Sequence, residues 1–450
     1  MNAFLQILKE TVADKRVLLL GFGREGRSTF RTLKALSAHK SLAVADINAP
    51  QEFDFGDAAV FSGETYLDRL EDYDVVFKSP GIVLPKPAPD YACRVTTQTE
   101  LFLRAFRSQV IGVTGTKGKS TVSTLLHHVL SVCRGDCLLA GNIGTPVFDV
   151  AELVTPRTVV VVELSCHQLE HCPVSPQAAV LLNLFEDHLD HYGTLALYHG
   201  AKRNIYRHQS ALDTLWCGEN ALPDGDCASR VLVPDAANLP FASFEEAGAK
   251  LRGAHNLLNC AFVYAAAQSF GIGADAFSAA LKTYRPLPHR LEPIGELDGV
   301  AYYDDSISTT VESALSAMKS IPNATTILLG GMDRGIDYTR LVESLRAGVI
   351  ANVVLMYESG RRIAVMLEAA GGAPERVRVV LTADLAEAVR AAKALTPRDA
   401  ACILSPAAAS YGHFKNFEER GDAFRALVFD DAHTTKGGVA PSGLSHQRVN

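Results

Sequence analysis

The sequence predicts an α/β protein of three domains: a Rossmann-like N-terminal domain, a central P-loop ATPase-like domain with a mainly parallel sheet, and a Rossmann-like C-terminal domain. Three observations predict this fold class. Apolar runs that do not alternate with polar residues recur along the chain, as expected of parallel strands buried on both faces. Helical patterns separate these runs, and glycine-rich turns follow two of them directly. A chain of 450 residues has room for about two to four domains.

The composition excludes several functional classes. Apolar residues make up 48% of the chain, charged residues make up 21%, and the net charge is −7, as in an ordinary soluble protein. Because Lys and Arg show no excess, we expect no nucleic-acid partner. No apolar run reaches the roughly 18 residues that a spanning helix needs, so we expect no membrane insertion. The N-terminus lacks a signal-peptide pattern and the nine cysteines include no C-x-x-C pair, which predicts a cytoplasmic protein with reduced thiols; we also expect a monomer.

Residues 1–107 are predicted to form the first domain. "KRVLLLGFGREGRSTF" indicates a strand, a glycine turn and a helix, and "SLAVADI" is a second strand that contains Asp46 near its end. "GFGREG" is a complete G-x-G-x-x-G pattern, which holds diphosphates against a helix N-terminus. An NAD-binding oxidoreductase is the competing interpretation, but no hydride-transfer pattern accompanies it. In "KSPGI", Ser79 and Gly81 follow the next strand, where they form either a plain turn or part of the diphosphate or sugar site.

Residues 108–290 are predicted to form the second domain, whose main signal is "GVTGTKGKST" at residues 112–121. The glycines do not follow ordinary P-loop spacing, but the strand "VIGVT" leads into them and a helix begins at Ser120. A helix N-terminus binds phosphate oxygens, Lys119 can reach the outer phosphates, and a hydroxyl of Ser120 or Thr121 can ligate Mg²⁺. A glycine turn that merely starts a helix is the simpler alternative.

Acidic residues follow the next strands of this domain. Glu163 ends the apolar strand in "TVVVVELS". Burial of its carboxylate there has a desolvation cost unless a cation pairs with it. Further on, acids and histidines crowd together at Glu186, Asp187, His188, Asp190 and His191. Zinc is conceivable there, but no third compact ligand group is evident, and oxygen ligands suit Mg²⁺. Lys202 follows in a helical pattern and, taken alone, is interpreted as a surface lysine.

Residues 291–430 are predicted to form the third domain. The strand patterns "VAYYDDSIST", "ATTILLGG", "VVLMYES", "RVRVVL" and "AACILSP" are each followed by a helical pattern. Ser405 and Pro406 are interpreted as an N-cap and a proline in the first turn of a helix. The tail, residues 431–450, lacks periodicity and is predicted to be disordered.

Several of these motifs together resemble the Mur ligases, in the same order and over nearly the whole chain except the tail. They are "GVTGTKGKST", "GNIG", "ELSCHQLE", "LNLFEDHLDHYGTLALYHGAKRNIY", "GAHNLLN", "LPHRLE", "DDSIST" and "LSPAAASYGHFKNFEERGDAF". The resemblance implies ATP-dependent addition of an amino acid to a UDP-linked muramoyl peptide through an acyl phosphate. The chain is most similar to the branch that adds D-glutamate to UDP-N-acetylmuramoyl-L-alanine in peptidoglycan precursor synthesis.

The resemblance also implies roles for individual residues. ATP-binding positions are Gly115, Thr116, Gly118, Lys119, Ser120, Thr121, Asn259, Arg290 and Asp305. Positions that bind the UDP substrate are Gly23, Arg24, Glu25, Asp46, Ser79, Gly81, Asn142 and His188. Amino-acid-binding positions are Thr309, Arg334, Ser410 and Phe417. Two Mg²⁺ ions are implied, with ligands among Ser120, Glu163, His188 and Lys202, and catalytic roles are implied for Lys119, Glu163, His188 and Lys202. Lys202 is implied to be carried as a carbamate.

The amino-acid site departs from the family pattern. Many D-glutamate ligases carry lysine where this chain has Ile307, and another near Arg334. A related branch with this kind of "DSIST" motif adds L-glutamate, so L-glutamate stays open as the alternative substrate. Alanine addition, folate polyglutamylation and a non-enzymatic nucleotide-binding regulator are further alternatives. The "GTKGKST" loop argues against alanine addition, and the N-terminal glycine turn argues against a folate enzyme.

Overall fold

A computed structural model describes residues 2–48, 53–186, 189–225, 227–251, 253–321 and 323–430. The predicted site residue His188 and the tail predicted to be disordered lie outside these ranges. The chain forms two compact units, Met1–Arg285 and Pro286–Asn450. In the described ranges, no helix combines the length and the apolar character needed to cross a bilayer.

The first sheet has five parallel strands in the order β3-β2-β1-β4-β5. The strands are β1 (Arg16–Leu20), β2 (Ser41–Asp46), β3 (Ala59–Ser62), β4 (Val75–Lys78) and β5 (Arg94–Thr96). The helices are α1 (Ala3–Val12), α2 (Arg24–Leu36) and α3 (Gln98–Phe106). The strand order reverses between β1 and β4, and such a switch point is where open α/β sheets bind ligands.

The second sheet has six parallel strands in the order β11-β10-β9-β6-β8-β7. The strands are β6 (Val110–Thr114), β7 (Cys137–Gly141), β8 (Val159–Glu163), β9 (Ala178–Leu181), β10 (Thr214–Cys217) and β11 (Arg230–Leu232). The helices are α4 (Lys119–Arg134), α5 (Val147–Val150), α6 (Cys166–Leu169), α7 (Leu189–Tyr192), α8 (Leu195–Arg203), α9 (Ala254–Gln268) and α10 (Ala274–Thr283).

Burial on both faces explains the apolar runs of these strands. In β8, Val160 and Val162 pack into one hydrophobic cluster, whereas Val159 and Val161 pack into another on the opposite face. A strand with two buried faces has no solvent side, so polar residues do not alternate with apolar ones. Strand β8 therefore ends in a single acid, Glu163, at the carboxyl edge of a sheet that is buried on both faces.

The third sheet is mixed, with the order β12-β13-β17-β14-β15-β16. The strands are β12 (Glu292–Leu297), β13 (Val300–Asp304), β14 (Ala324–Leu329), β15 (Asn352–Met356), β16 (Arg378–Thr382) and β17 (Ala401–Leu404). The helices are α11 (Val311–Ser320), α12 (Thr339–Arg346), α13 (Tyr357–Ala369), α14 (Leu385–Leu395) and α15 (Phe417–Phe429). Strand β12 pairs antiparallel with β13, and the other pairs are parallel.

The sequence interpretation missed β12. Its signal was the Asp-Gly pair between the two strands: Asp298 and Gly299 have φ of 54° and 79°, the left-handed values that a two-residue hairpin turn requires. The three predicted domain boundaries stay a prediction, although each of the three sheets lies within one of the predicted ranges.

The helix predicted to start at Ser405 is wrong. No helix begins there, and the next one is α15 at Phe417. The Ser405 hydroxyl donates instead to Asp305 Oδ2 at 2.7 Å, and Ala407 has a φ of 52° that a right-handed helix does not admit. The Ser405 hydroxyl thus bonds a residue distant in sequence instead of capping a helix. Ser410, which would have faced solvent from such a helix, is 4% exposed.

Candidate active site

The loop between β6 and α4, residues 115–118, is built on glycine; because we predict that it binds phosphate, we call it the phosphate cradle. Gly118 is the N-cap of α4 and has a φ of 88°, and a Cβ there would lie 2.7 Å from Oδ1 of Asn259. Any side chain at this position would be strained and would displace Asn259. Asn259 therefore lies against the loop, and its contact with ATP stays a prediction. The N-terminus of α4 can bind phosphate oxygens.

Two lysines meet at this loop. Lys119 Nζ donates to the backbone oxygens of Gly115 and Thr116, at 3.0 and 3.1 Å. Lys202, on α8, donates from Nζ to the same Gly115 oxygen at 2.9 Å. Lys202 is only 1% exposed and its ammonium lies 4.8 Å from the centroid of the Tyr198 ring. The interpretation of Lys202 as a surface lysine is wrong, because its helix carries it into the phosphate cradle.

Glu163 lies beside the cradle, since it pairs in register with Val113 at the end of β6. Its side chain is 1% exposed. Asn142 donates from Nδ2 to Glu163 Oε1 at 2.7 Å and from its backbone nitrogen to Glu163 O at 2.9 Å. Within the described part of the chain, Glu163 Oε2 has no hydrogen-bond partner.

The donor set fits the Mg²⁺ that the family implies. A buried carboxylate oxygen without a donor is costly, and a cation beside it would remove that cost. Oxygen is the ligand type that Mg²⁺ prefers, with waters and substrate phosphates completing its shell. Ser120 and Thr121 lie in the first turn of α4, where a hydroxyl would supply a second protein ligand. His188, the remaining predicted ligand, is outside the described residues.

Two residues of this site escaped sequence interpretation. Asn183 follows β9 and forms hydrogen bonds with the backbone of Lys117, accepting at 2.8 Å and donating at 3.0 Å. Tyr198 donates from its hydroxyl to Thr116 Oγ1 at 3.3 Å. Both side chains hold the loop. The available signal for Asn183 was its position after a buried strand next to β6, since the carboxyl ends of parallel strands share an edge.

The first sheet places its glycine turn at the switch point between β1 and β4. A Cβ at Gly26 would lie 2.1 Å from Gly21 O, so only glycine allows α2 to approach the turn this closely. Ser79, after β4, donates from its hydroxyl to Gly21 O at 3.1 Å. Asp46 accepts from the backbone nitrogens of Phe22 and Asn48, at 2.7 and 2.9 Å. The Asp46 carboxylate thus holds the turn, and its contact with substrate stays a prediction.

Glu25 and Arg24, predicted to bind the UDP substrate, also join the first sheet to the second. Glu25 Oε1 accepts from Gln168 Nε2 at 2.6 Å, and Arg24 donates to Gly144 O at 3.0 Å. Burial raises the pKa of Glu25 above its usual value, while Gln168 and Lys78 oppose that shift. Burial also lowers the pKa of Lys78, which is 3% exposed. Gly23, an exposed N-cap of α2, and Gly81, with a φ of 81°, complete the turn region.

The second unit contains Asp305 and Arg290, predicted to bind ATP. Asp305, 3% exposed, accepts from the Ser405 hydroxyl and from Leu291 N at 3.1 Å. Burial raises the pKa of Asp305 to about 6, although these hydrogen bonds and the charge of Arg290 lower it. Among the described residues, Arg290 Nε has no hydrogen-bond partner. A shared nucleotide site with the loop of the first unit stays a prediction.

The Asp305 carboxyl is expected to make stability depend on pH. Its folded pKa of about 6 exceeds the ordinary value of 3.8, so the protonated form favours folding below pH 3.8 and this contribution is lost as the pH rises through 6. From pH 4 to pH 7, the free energy of unfolding should fall by on the order of 2–3 kcal/mol more in the wild type than in Asp305→Asn. Chemical unfolding across pH checks this, with exposed Glu375→Gln as the control. Identical pH profiles for the wild type and Asp305→Asn would contradict it.

The predicted amino-acid positions differ in exposure. Thr309 and Arg334 are exposed, whereas Ser410 is buried and Phe417 is half-buried with its ring 6.0 Å from His289. The sequence interpretation missed Arg420, which is fully buried and donates to Ser306 Oγ, Ser306 O and Ala408 O at 3.0, 2.7 and 3.1 Å. Arg420 thereby joins the segment after β13 to the segment after β17, and both segments carry predicted ligand residues.

The chain is similar in sequence to known proteins. Residues 113–217 match the family model of the Mur ligase middle domain. A UDP-N-acetylmuramoyl-L-alanine–L-glutamate ligase from Micromonospora sp. is 33% identical over 448 residues, which cover 93% of this chain and 97% of the relative. A UDP-N-acetylmuramoylalanine–D-glutamate ligase from Streptococcus pneumoniae is 31% identical over 448 residues, covering 91% and 96%. One with the same name from Oenococcus oeni is 30% identical over 439 residues, covering 92% and 97%.

Solved structures confirm the predicted fold class. The MurF ligase from Thermotoga maritima in complex with ADP superposes with a TM-score of 0.57 at 16% identity, covering 95% of this chain and 98% of that one. The UDP-N-acetylmuramate-alanine ligase MurC from the same organism gives 0.56 at 18% identity, covering 91% and 98%. These likenesses concern the fold. The sequence relatives, which reach 30% identity or more over nearly the whole of both chains, show that this chain belongs to the Mur ligase family.

Proposed function

We propose that this protein joins glutamate to UDP-N-acetylmuramoyl-L-alanine at the expense of ATP, as a step of peptidoglycan precursor synthesis. The names of the relatives support the substrates. The observation that carries the chemistry is the partnerless Oε2 of buried Glu163 beside the phosphate loop, within the described part of the site. ATP and a nucleotide-linked sugar are cytoplasmic metabolites, so the proposed reaction belongs in the cytoplasm; the expectation of a monomer stays a prediction.

The proposed reaction activates a carboxylate before it meets an amine. The alanyl carboxylate oxygen attacks the γ-phosphorus of ATP, the bond to the β–γ bridging oxygen breaks, and ADP leaves. The glutamate nitrogen then attacks the carbonyl carbon of the acyl phosphate, loses a proton, and phosphate departs with the C–O bond electrons. Anions meet in both steps, so positioned cations and N–H groups contribute most of the rate enhancement.

The residues of the first unit divide this work. The N–H groups at the start of α4 and the ammonium of Lys119 would bind the phosphates of ATP. Glu163 and the hydroxyl of Ser120 or Thr121 would hold Mg²⁺, which when bound neutralises phosphate charge and orients the γ-phosphoryl group. Asn142 orients the Glu163 carboxylate through its hydrogen bond of 2.7 Å. Tyr198 and Asn183 keep the loop in place.

We propose that Lys202 acts as a carbamate. The neutral amine would add to CO₂ with loss of a proton, which converts a cation into an oxygen ligand for a second Mg²⁺. The burial of Lys202 at the loop supports this proposal, since it places Nζ among the groups proposed to bind Mg²⁺ and phosphate. Its hydrogen bond to Gly115 O is compatible with the change, because a carbamate keeps one N–H.

The configuration of glutamate has two candidates. D-glutamate follows from the motifs as a whole and from the names of two of the relatives reported above. L-glutamate is favoured by Ile307, which stands where many D-glutamate ligases have lysine, and by the Micromonospora relative, whose name specifies L-glutamate. Within the family motif, Ile307 is half-buried and follows the Asp305–Ser306 pair that Arg420 and Ser405 hold in place.

One assay tests both points. Purified protein with Mg²⁺, ATP and UDP-N-acetylmuramoyl-L-alanine receives D- or L-glutamate in parallel, and phosphate release and product mass are measured. We expect phosphate release that depends on the muramoyl substrate and on one enantiomer, with the product heavier by one glutamyl residue. No release with either enantiomer would refute the ligase proposal, and binding of NADH instead of ATP would revive the oxidoreductase alternative, which no named relative supports.

A further inference from the structure

A second cluster of ligand-type side chains shares no residue with the phosphate cradle. It consists of His167, Glu170 and His191, and one ligand atom from each lies within 4.8 Å of the other two. His191 Nε2 is 3.5 Å from Glu170 Oε2, and the rings of His167 and His191 are 4.3 Å apart at an angle of 67°. The side chains of His191 and Glu170 are 12% and 22% exposed, so the cluster is shielded but accessible.

Two chain segments far apart in sequence build the cluster. His167 lies in α6 and Glu170 follows it three positions later, a spacing that puts both side chains on one face of a helical turn. Ser165 and Gln168 form a capping box that fixes this turn. His191 comes from α7. The sequence interpretation found His191 but no third compact ligand group, because the other two residues lie more than twenty positions earlier.

The surroundings of the cluster resemble the outer shell of a metal site. Tyr192 Oη is 3.3 Å from His167 Nδ1, and the two rings stack at an angle of 7°. Asn204 donates from Nδ2 to the Glu170 backbone oxygen at 3.1 Å. Hydrogen bonds to the second nitrogen of a ligating histidine fix its tautomer and ring direction, and such outer partners change metal affinity by roughly 10–100-fold.

The cluster also has an entry path. A cavity of about 410 Å³ opens beside it and is lined by Glu170 and His171, by His191 and Tyr192 of α7, and by residues of α8. Water or a further ligand can therefore occupy a remaining coordination position. His171 offers another nitrogen, with its Nε2 3.9 Å from Glu170 Oε2.

We propose that His167, Glu170 and His191 form a binding site for a divalent transition metal of the zinc class, separate from the Mg²⁺ cradle. Two imidazoles and one carboxylate suit Zn²⁺ or Co²⁺, whereas Mg²⁺ prefers oxygen ligands. A bound ion ties the segment after β8 to α7. Because Tyr192 packs on Tyr198, whose hydroxyl donates to Thr116, the ion also braces one wall of the phosphate loop.

Direct metal binding tests this site without any substrate. Metal-stripped full-length protein in excess Mg²⁺ is titrated with Co²⁺ and with Zn²⁺, followed by visible absorption and by calorimetry. We expect one Co²⁺ per chain, with the weak visible bands of nitrogen and oxygen ligands. His191→Gln and Glu170→Gln should each weaken binding at least about 10-fold, and His208→Gln, which replaces an exposed histidine, should bind as the wild type does.

Thermal unfolding supplies an independent measurement. Zn²⁺ should raise the melting temperature of the wild type and of His208→Gln by a few degrees and leave the two cluster variants unchanged. Equal melting temperatures of all four proteins without metal show that the variants fold. Equal metal affinity in the wild type and in both cluster variants would overturn the proposal, as would an intense near-ultraviolet cobalt–thiolate band, which would assign the ion to cysteine. Ligase activity with Mg²⁺ is measured separately. Failure of the metal-site proposal would therefore not refute the proposed ligase function, and failure of the ligase proposal would not refute the metal site.

Discussion

Glu163→Gln is expected to reduce ATP-dependent phosphate release by about 10²–10³-fold. The amide oxygen still accepts from Asn142, so the local structure is preserved, but the amide places an NH₂ group where Oε2 now has no partner among the described residues. A neutral group there holds Mg²⁺ weakly. Because the variant no longer buries an unpaired charge, the melting temperature without Mg²⁺ should stay the same or rise.

The two measurements together make the prediction specific. Phosphate release and melting temperature are measured with and without Mg²⁺, and Glu152→Gln, which removes an exposed carboxylate in the same unit, serves as the control. The Mg²⁺ concentration at half-maximal activity should rise in Glu163→Gln only. Wild-type turnover in Glu163→Gln would remove the carboxylate from the proposed metal site, and a large drop in its melting temperature without Mg²⁺ would assign it a structural role instead.

Lys202→Arg and Lys202→Ala are expected to lose activity to a similar extent, about 10²–10³-fold, if the working form is a carbamate. Arginine keeps a cation and N–H groups that can donate to Gly115 O, but it does not take up CO₂. Alanine removes the whole group, although Lys119 still donates to the same oxygen. Only the wild type should regain activity when bicarbonate is added to protein depleted of CO₂.

The response to bicarbonate separates a carbamate from an ordinary cation. Lys282→Ala, at an exposed position near the end of α10, is the control and should respond as the wild type does. High activity in Lys202→Arg would show that positive charge suffices at this position. If depletion of CO₂ left the activity of the wild type unchanged, the carbamate proposal would be refuted. Calorimetric measurement of Mg²⁺ binding would still test the other proposed ligands.

Most of the fold could be predicted because its signals are local. Buried parallel strands need apolar residues on both faces, as in "TVVVVELS", and tight turns against a helix need glycine, as at Gly26 and Gly118. Strand β12 escaped because it contains Pro293 and Gly295, which are unusual inside strands, and the Asp298–Gly299 turn marked it. The helix predicted at Ser405 does not form, and the Ser405 hydroxyl donates instead to Asp305, which follows the neighbouring strand β13.

By itself, the sequence determined the α/β class, the family, the glycine loop after β6 and the acid at the end of β8, since each depends on residues close together in the chain. Only the tertiary structure decided that Lys202 lies inside the cradle, that Asp46 holds the glycine turn, and that His167 and Glu170 meet His191. These three outcomes depend on contacts between distant segments. A side chain replaces its hydrogen bonds to water with protein partners only when the folded chain brings those partners close. A local sequence pattern therefore does not predict these contacts.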